Sequence, residues 1–145
     1  MKGKLPDVQV FNQTDYEVPL PSEKYIAVAS ALSKSEGCEF NFIEVVYVDE
    51  DEIVRINENH LERDYVTDII TFRYDESTNN KSIEGTMYCC APRIKEQAVE
   101  FDEPLKREFL RIYIHGLLHL AGYEDKTNEQ KQLMTAKEND YLSIA

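Results

Sequence analysis

The segment His115-Gly116-Leu117-Leu118-His119-Leu120-Ala121-Gly122-Tyr123-Glu124-Asp125 decides how the rest of the chain is read. At 3.6 residues per turn, His115 and His119 project from one helix face about a turn apart, where two imidazoles can reach a single ion. Gly122 breaks the helix three residues after His119 and lets the chain turn back, so that Asp125, ten residues after His115, can supply a third ligand. This is the spacing of metzincin-like sites, in which the last ligand follows a glycine turn. Two histidines and a carboxylate form a set that zinc accepts, and the anionic oxygen makes the ion a weaker Lewis acid than a third imidazole would. The alternatives are two ordinary helix histidines and an Asp125 that N-caps the following helix. Glu124 is the weaker ligand candidate, better suited to solvent or to a supporting position.

Gly116 stands where an HExxH peptidase carries its general base, which disfavours a zinc peptidase. An ion held by His115, His119 and Asp125 can still polarise a phosphoryl oxygen and activate water without a base inside the motif. Nickel, iron and manganese suit the same ligands, so one divalent ion, zinc first, is the expected cofactor.

Working outward, the motif helix is expected from Leu105 to Ala121 behind the Asp102-Glu103-Pro104 start signal. A last helix, from about Thr127 to Leu142, opens on the capping-box pattern Thr127-x-x-Gln130. Upstream, a strand is expected at Val8 to Phe11. A helix follows from an Ser22 N-cap to about Ser35, ended by Gly37. The run Glu39 to Val48 is strand-like, and Asp49 with Glu52 opens a helix to about Leu61. Asp68 to Tyr74 and Glu84 to Ala91 are strand-like and form a hairpin pattern around a polar turn, and Pro92 opens a helix to about Phe101. The expected fold is α+β: a small mixed four-stranded sheet with about five helices and a metzincin-like metal-binding helix, in one domain spanning 1–145.

The 145 residues are 42% hydrophobic and 30% charged, enough to bury roughly two-thirds of the unfolded surface without a structural metal. No apolar run is long enough for a bilayer span, and Met1 to Pro6 lacks a signal-peptide core. Three cysteines, two of them adjacent, fit neither a disulfide framework nor a zinc ribbon, so buried thiols in a reducing, cytoplasmic compartment are expected. No GxGxxG or P-loop pattern supports a nucleotide cofactor. A formal charge of -12 repels polyanions, so a nucleic-acid role needs a local patch or a metal.

The eleven-residue segment resembles the HGxLHLxGYDH motif of the YbeY family, metal-dependent single-strand endoribonucleases of ribosomal RNA maturation. His115, Gly116, Leu118, His119, Leu120, Gly122 and Tyr123 coincide with it, while Glu124 and Asp125 replace its aspartate and histidine. Ile56-Asn57, then Asp64 and Thr67 to Phe72, resemble the family's LN pair and its PT[DN]VLSF segment, and Ile83 to Thr86 resembles its LGD strand. The likeness covers roughly residues 5 to 143. It implies single-stranded RNA as substrate, 16S rRNA or its precursor, with the small ribosomal subunit as partner, a role in subunit quality control, a monomer, and no membrane. Asn57, Thr67, Asp68 and Thr71 transfer as candidate cleft residues. Leu61 stands where the family usually has an arginine and Thr86 where it has an aspartate, so neither role transfers; Arg63 is the candidate substitute.

The basic residues available to an RNA cleft are Arg63, Arg73, Arg93, Lys95, Lys106, Arg107 and Arg111, and between Arg93 and Arg111 five basic residues are balanced by five acidic ones. Tyr65, Tyr74 and Tyr88 are candidates to stack an unpaired base. His60 is read as packing or surface. Two other classes compete: a metal-dependent hydrolase of another ester or amide, and a non-catalytic ribosome-associated module that keeps the ion for structure.

Overall fold

The computed structural model describes residues 5–61, 66–74 and 82–145. Among the described residues, four strands and five helices follow one another as β1 (Asp7–Asn12), α1 (Ser22–Glu36), β2 (Phe40–Val48), α2 (Glu50–Leu61), β3 (Ile69–Arg73), β4 (Ile83–Cys90), α3 (Ala91–Glu100), α4 (Leu105–Leu120) and α5 (Asn128–Ile144). The sheet order is β1-β2-β4-β3. β1, β2 and β4 run parallel, and β3 is antiparallel to β4, with Thr71 opposite Met87. The α+β class with a mixed four-stranded sheet and five helices is therefore as expected.

A strand flanked by parallel neighbours must be covered on both faces, and β2 shows this as alternation between two cores. Ile43, Val45 and Tyr47 join a large core with α1 and α4, whereas Val46 and Val48 join a smaller one with Ile53 and Ile56 of α2. α4 is the central helix: Phe109, Ile112, Tyr113, Ile114, Leu117 and Leu118 are almost completely buried. Tyr113 donates its hydroxyl to the Tyr25 carbonyl (2.8 Å), tying α4 to α1.

Two glycines seat α4 on the sheet. A Cβ at Gly116 would lie 2.8 Å from Ile69 Cδ1 and 2.9 Å from Met87 Sδ. A Cβ at Gly85 would lie 2.6 Å from the Phe72 carbonyl oxygen and 2.8 Å from Leu120 Cδ2.

Element ends differ from the sequence reading in a few places. Ser22 is the first residue of α1, not its cap; Pro21 holds the cap position in an extended conformation and no side chain bonds the exposed amides. Asp49 accepts the Glu52 amide (3.0 Å), but the Glu52 carboxylate turns to Arg55, so only half of that capping box forms. The Thr127–Gln130 box is complete. Cys38, Cys89 and Cys90 are buried free thiols, Cys89 and Cys90 on β4 and Cys38 in the turn before β2. No helix among the described residues is long and apolar enough to cross a membrane.

Candidate metal centre

α4 turns its apolar side to the sheet, which leaves His115 and His119 facing outward near its C-terminal end. Ala121 caps the helix and Gly122 follows at φ +108°, a left-handed value that costs glycine least. The chain thereby reverses over the helix end, and the Tyr123 amide returns to the Leu118 carbonyl (3.0 Å). Asp125 is carried back over the two rings.

His115 Nε2 and His119 Nε2 are 3.0 Å apart, and Asp125 Oδ2 lies 3.3 Å from the first and 3.4 Å from the second. A tetrahedral ion with ligand bonds of about 2.0–2.1 Å has ligand–ligand edges of about 3.3–3.4 Å. The two edges to Asp125 match one face of such a polyhedron, and the imidazole–imidazole edge of 3.0 Å is somewhat shorter. Among the described residues they are the one His/Cys/Asp/Glu group placed to hold a metal ion.

The surrounding hydrogen bonds set the character of these atoms. His115 Nδ1 is 2.6 Å from Glu138 Oε2, and His119 Nδ1 is 3.0 Å from the Tyr123 carbonyl oxygen. Both partners are acceptors, so in neutral rings both Nδ1 atoms carry the proton and both Nε2 atoms present lone pairs. Two lone pairs and a carboxylate oxygen converging within hydrogen-bond distance repel one another unless a cation lies between them. The same field acts on protonation. Burial disfavours the His115 imidazolium, but the Glu138 hydrogen bond and the charges of Glu138, Asp68 and Asp125 outweigh it and raise the pKa above the ordinary 6.5. The donor set fits a divalent cation. Exposure of the three side chains rises from 17% at His115 and 24% at His119 to 40% at Asp125, so the cluster is open to solvent on one side.

The N-cap alternative for Asp125 fails, because Thr127 caps α5. Glu124 is exposed and lies outside the cluster. His60 stacks edge-on against Phe72 (5.4 Å), on the sheet face away from α4. Gly116 faces Ile69 and Met87, so a glutamate at that position would point into the sheet and not towards the ligands.

The candidate cleft residues divide. Asp68 precedes β3, accepts a hydrogen bond from Gln97 Nε2 (3.2 Å), and is close enough for its charge to act on His115. Asn57 is fully buried and donates to Thr67 Oγ1 (3.2 Å), linking α2 to the segment before β3. Thr71 shares the α4-facing side of β3 with Ile69. Thr86 points to the opposite face, where its hydroxyl meets Glu44 and Tyr74. Arg63 and Tyr65 lie outside the described residues.

Among the described residues, folding does not gather the basic candidates into a free stripe. Arg93 pairs with Glu96 and Glu100, Arg107 with Glu103, and Arg111 with Glu108 and Glu138. Arg73 donates to the Leu120 carbonyl (3.2 Å) at the end of α4, and Lys95 sits over the Tyr16 ring. Of the tyrosines, Tyr74 is 55% exposed and Tyr88 half-buried.

Sequence reasoning missed the residues that brace the ligands. Glu138 lies 23 positions from His115 on another helix, and Glu36 at the end of α1 accepts hydrogen bonds from Tyr123, Lys137 and Tyr141. No local spacing announces either; the capping box that fixes where α5 begins is the nearest sequence signal.

A helix seated on a mixed sheet, presenting two imidazoles and a returning carboxylate on its open side, defines an α+β fold with a three-residue cluster that could hold a cation. The comparisons with known proteins carry this to a family. Residues 10–145 match the family description Endoribonuclease YbeY. The chain is 39% identical over 124 residues to endoribonuclease YbeY of Chloroherpeton thalassium, covering 86% of each chain. It is 38% identical over 136 residues to endoribonuclease YbeY of Chlorobium limicola, covering 94% of this chain and 91% of that one. A Thermotoga maritima protein solved in solution superimposes with a TM-score of 0.58 at 26% identity, over 94% of this chain and 87% of that one. The chain belongs to the YbeY endoribonuclease family.

Proposed function

We propose that this chain is a metal-dependent single-strand endoribonuclease, one domain over residues 1–145, whose ion is held by His115, His119 and Asp125. The observation that carries the reading is the triangle of 3.0, 3.3 and 3.4 Å formed by three lone-pair atoms in a chain of this family. A bound divalent ion, zinc first, would supply Lewis acidity to a phosphoryl oxygen and to water.

The protein's own part is to hold the rings and keep one side open. Glu138 and the Tyr123 carbonyl keep the Nδ1 protons on the outer side of the rings, so both Nε2 lone pairs stay directed inward. Asp125, the most exposed ligand, closes the triangle from the turn and leaves the solvent side for substrate. Asp68 is close enough for its charge to act on His115, and with Asn57, which donates to Thr67, and Thr71 it completes the set of residues proposed for the cleft. A chain of net charge -12 attracts RNA weakly at long range, so binding depends on the ion and falls steeply with salt. The substrate proposed is unpaired 16S rRNA or its precursor on the small ribosomal subunit, in the cytoplasm, with the enzyme acting as a monomer.

The test compares metal content and cleavage of a labelled single-stranded RNA for the wild type and His119→Ala. About one equivalent of metal and cleavage by the wild type, both lost in the variant, are expected. Metal retained by His119→Ala would refute the assigned site, and hydrolysis of a chromogenic ester with no RNA cleavage would refute the substrate. Chelation should abolish cleavage and leave most of the fold, because the two hydrophobic cores contain none of the ligands; unfolding on chelation would favour the structural-ion alternative.

A further inference from the structure

Beneath the ligand triangle lies a chain of charged groups that the sequence gives no reason to expect. Glu108 and Glu138 are the two acidic residues of the described core, 1% and 4% exposed. Arg111 bridges them: its Nε donates to Glu108 Oε1 (3.0 Å) and its Nη1 to Glu138 Oε1 (3.1 Å). The second oxygen of Glu138 meets His115 Nδ1 at 2.6 Å. Each carboxylate oxygen of Glu138 thus has one dedicated donor, and rotating the side chain breaks a part-buried hydrogen bond to Arg111 or His115.

We propose that Glu138, oriented by Arg111, is a positioning residue that fixes the tautomer and ring angle of His115 and thereby sets the affinity of the site for its ion. The inference rests on the reading of His115, His119 and Asp125 as ligands. A buried salt bridge is by itself weak support for stability, because desolvation offsets much of its attraction. Its placement against a ligand ring gives it another role: a neutral imidazole has two tautomers, and only the one protonated at Nδ1 offers Nε2 to the cation. Carboxylate partners of metal-bound imidazoles typically change affinity about 10–100-fold when removed. His119 has a backbone carbonyl in the same role, so its tautomer is fixed by the turn and does not depend on Glu138.

The test uses the full-length metal-free protein, Glu138→Gln and Glu138→Leu, with zinc titrated against a chromophoric chelator. Glu138→Leu removes the acceptor and should weaken zinc about 10–100-fold. Glu138→Gln keeps one acceptor oxygen for two donors, Arg111 and His115, and should fall between Leu and the wild type. Long-range proton–nitrogen correlation spectra of the metal-free proteins give a readout independent of activity. His115 should be protonated at Nδ1 in the wild type and shift towards the Nε2–H tautomer in both variants, while His119 keeps its Nδ1 proton. If Glu138→Leu fails to fold, the Gln variant decides by the same two measurements. Wild-type zinc affinity in both variants, or an unchanged His115 tautomer, would overturn the role of Glu138. A wild type that binds no zinc would overturn the ligand assignment itself, a separate failure.

Discussion

Gly116→Ala tests the idea that α4 reaches the sheet only because this position lacks a side chain. Elsewhere in a helix interior the change should stabilise, since alanine exceeds glycine by about 0.8–1.0 kcal/mol in helix propensity. Here the new Cβ would sit 2.8 Å from Ile69 Cδ1, 2.9 Å from Met87 Sδ and 3.0 Å from Met87 Cε, when carbon contacts are normally about 3.5–4.0 Å. Met87 is fully buried, so the displaced atoms must move into an occupied core. Overpacking of this kind costs about 1–3 kcal/mol, which cancels or exceeds the propensity gain and leaves a net loss of up to about 2 kcal/mol. The assay is urea unfolding of the metal-free protein in a double-mutant cycle with Met87→Ala, which removes two of the three clashing atoms. Gly116→Ala should be less costly by about 0.5–3 kcal/mol in the Met87→Ala background, the range over which contacting residues couple. Equal effects in both backgrounds, or a wild-type background stabilised by the full propensity gain, would refute the seating argument.

Two further perturbations probe the turn and its anchors. Thr127→Ala removes the side chain that caps α5 and should cost about 1 kcal/mol, read as a lower urea midpoint at unchanged slope. Burial pushes the Glu36 carboxyl up, but hydrogen bonds from Tyr123, Tyr141 and Lys137 outweigh it and bring its pKa below the ordinary 4.5. A carboxylate with a depressed folded pKa stabilises above its unfolded value and loses that contribution as pH falls through the folded one. Glu36→Gln should therefore melt below the wild type at neutral pH, with the gap closing under acid conditions; thermal melts of metal-free protein across pH 3 to 7 (about the carboxylate range) check this, and a constant gap contradicts it.

How much of this was legible beforehand depends on the range of the interaction. Helix ends governed by neighbours three or four residues apart, such as Thr127–Gln130 and Gly122, could be read directly, as could the convergence of His115, His119 and Asp125, which fall within eleven residues. The parallel pairing of β1, β2 and β4 is not written in any single segment, because it depends on crossovers that bring distant strands side by side. The supports of the ligands were hidden for the same reason: Glu138 and Glu36 reach the site from α5 and α1, and each alone looks like one more charge on an acidic chain. Gly116 was read only as the position where a peptidase would carry its general base; its packing role needed Ile69 and Met87 to be placed beneath it.

The arrangement separates the work of the fold from the work of the site. None of the three proposed ligands comes from a strand: the sheet contributes Ile69, Met87 and the space at Gly85, and α4 the space at Gly116, which together fix the height and rotation of α4. Given that rotation, the helix period alone puts both rings on the open side, and the Gly122 reversal brings the carboxylate over them. α5 then locks the result twice, through Glu138 on His115 and through Lys137 and Tyr141, which with Tyr123 converge on Glu36. A change in α5 that leaves the cores intact should therefore loosen the ion before it unfolds the protein, whereas a change beneath α4 should do both together, because there the same contacts that support the core aim the ligands.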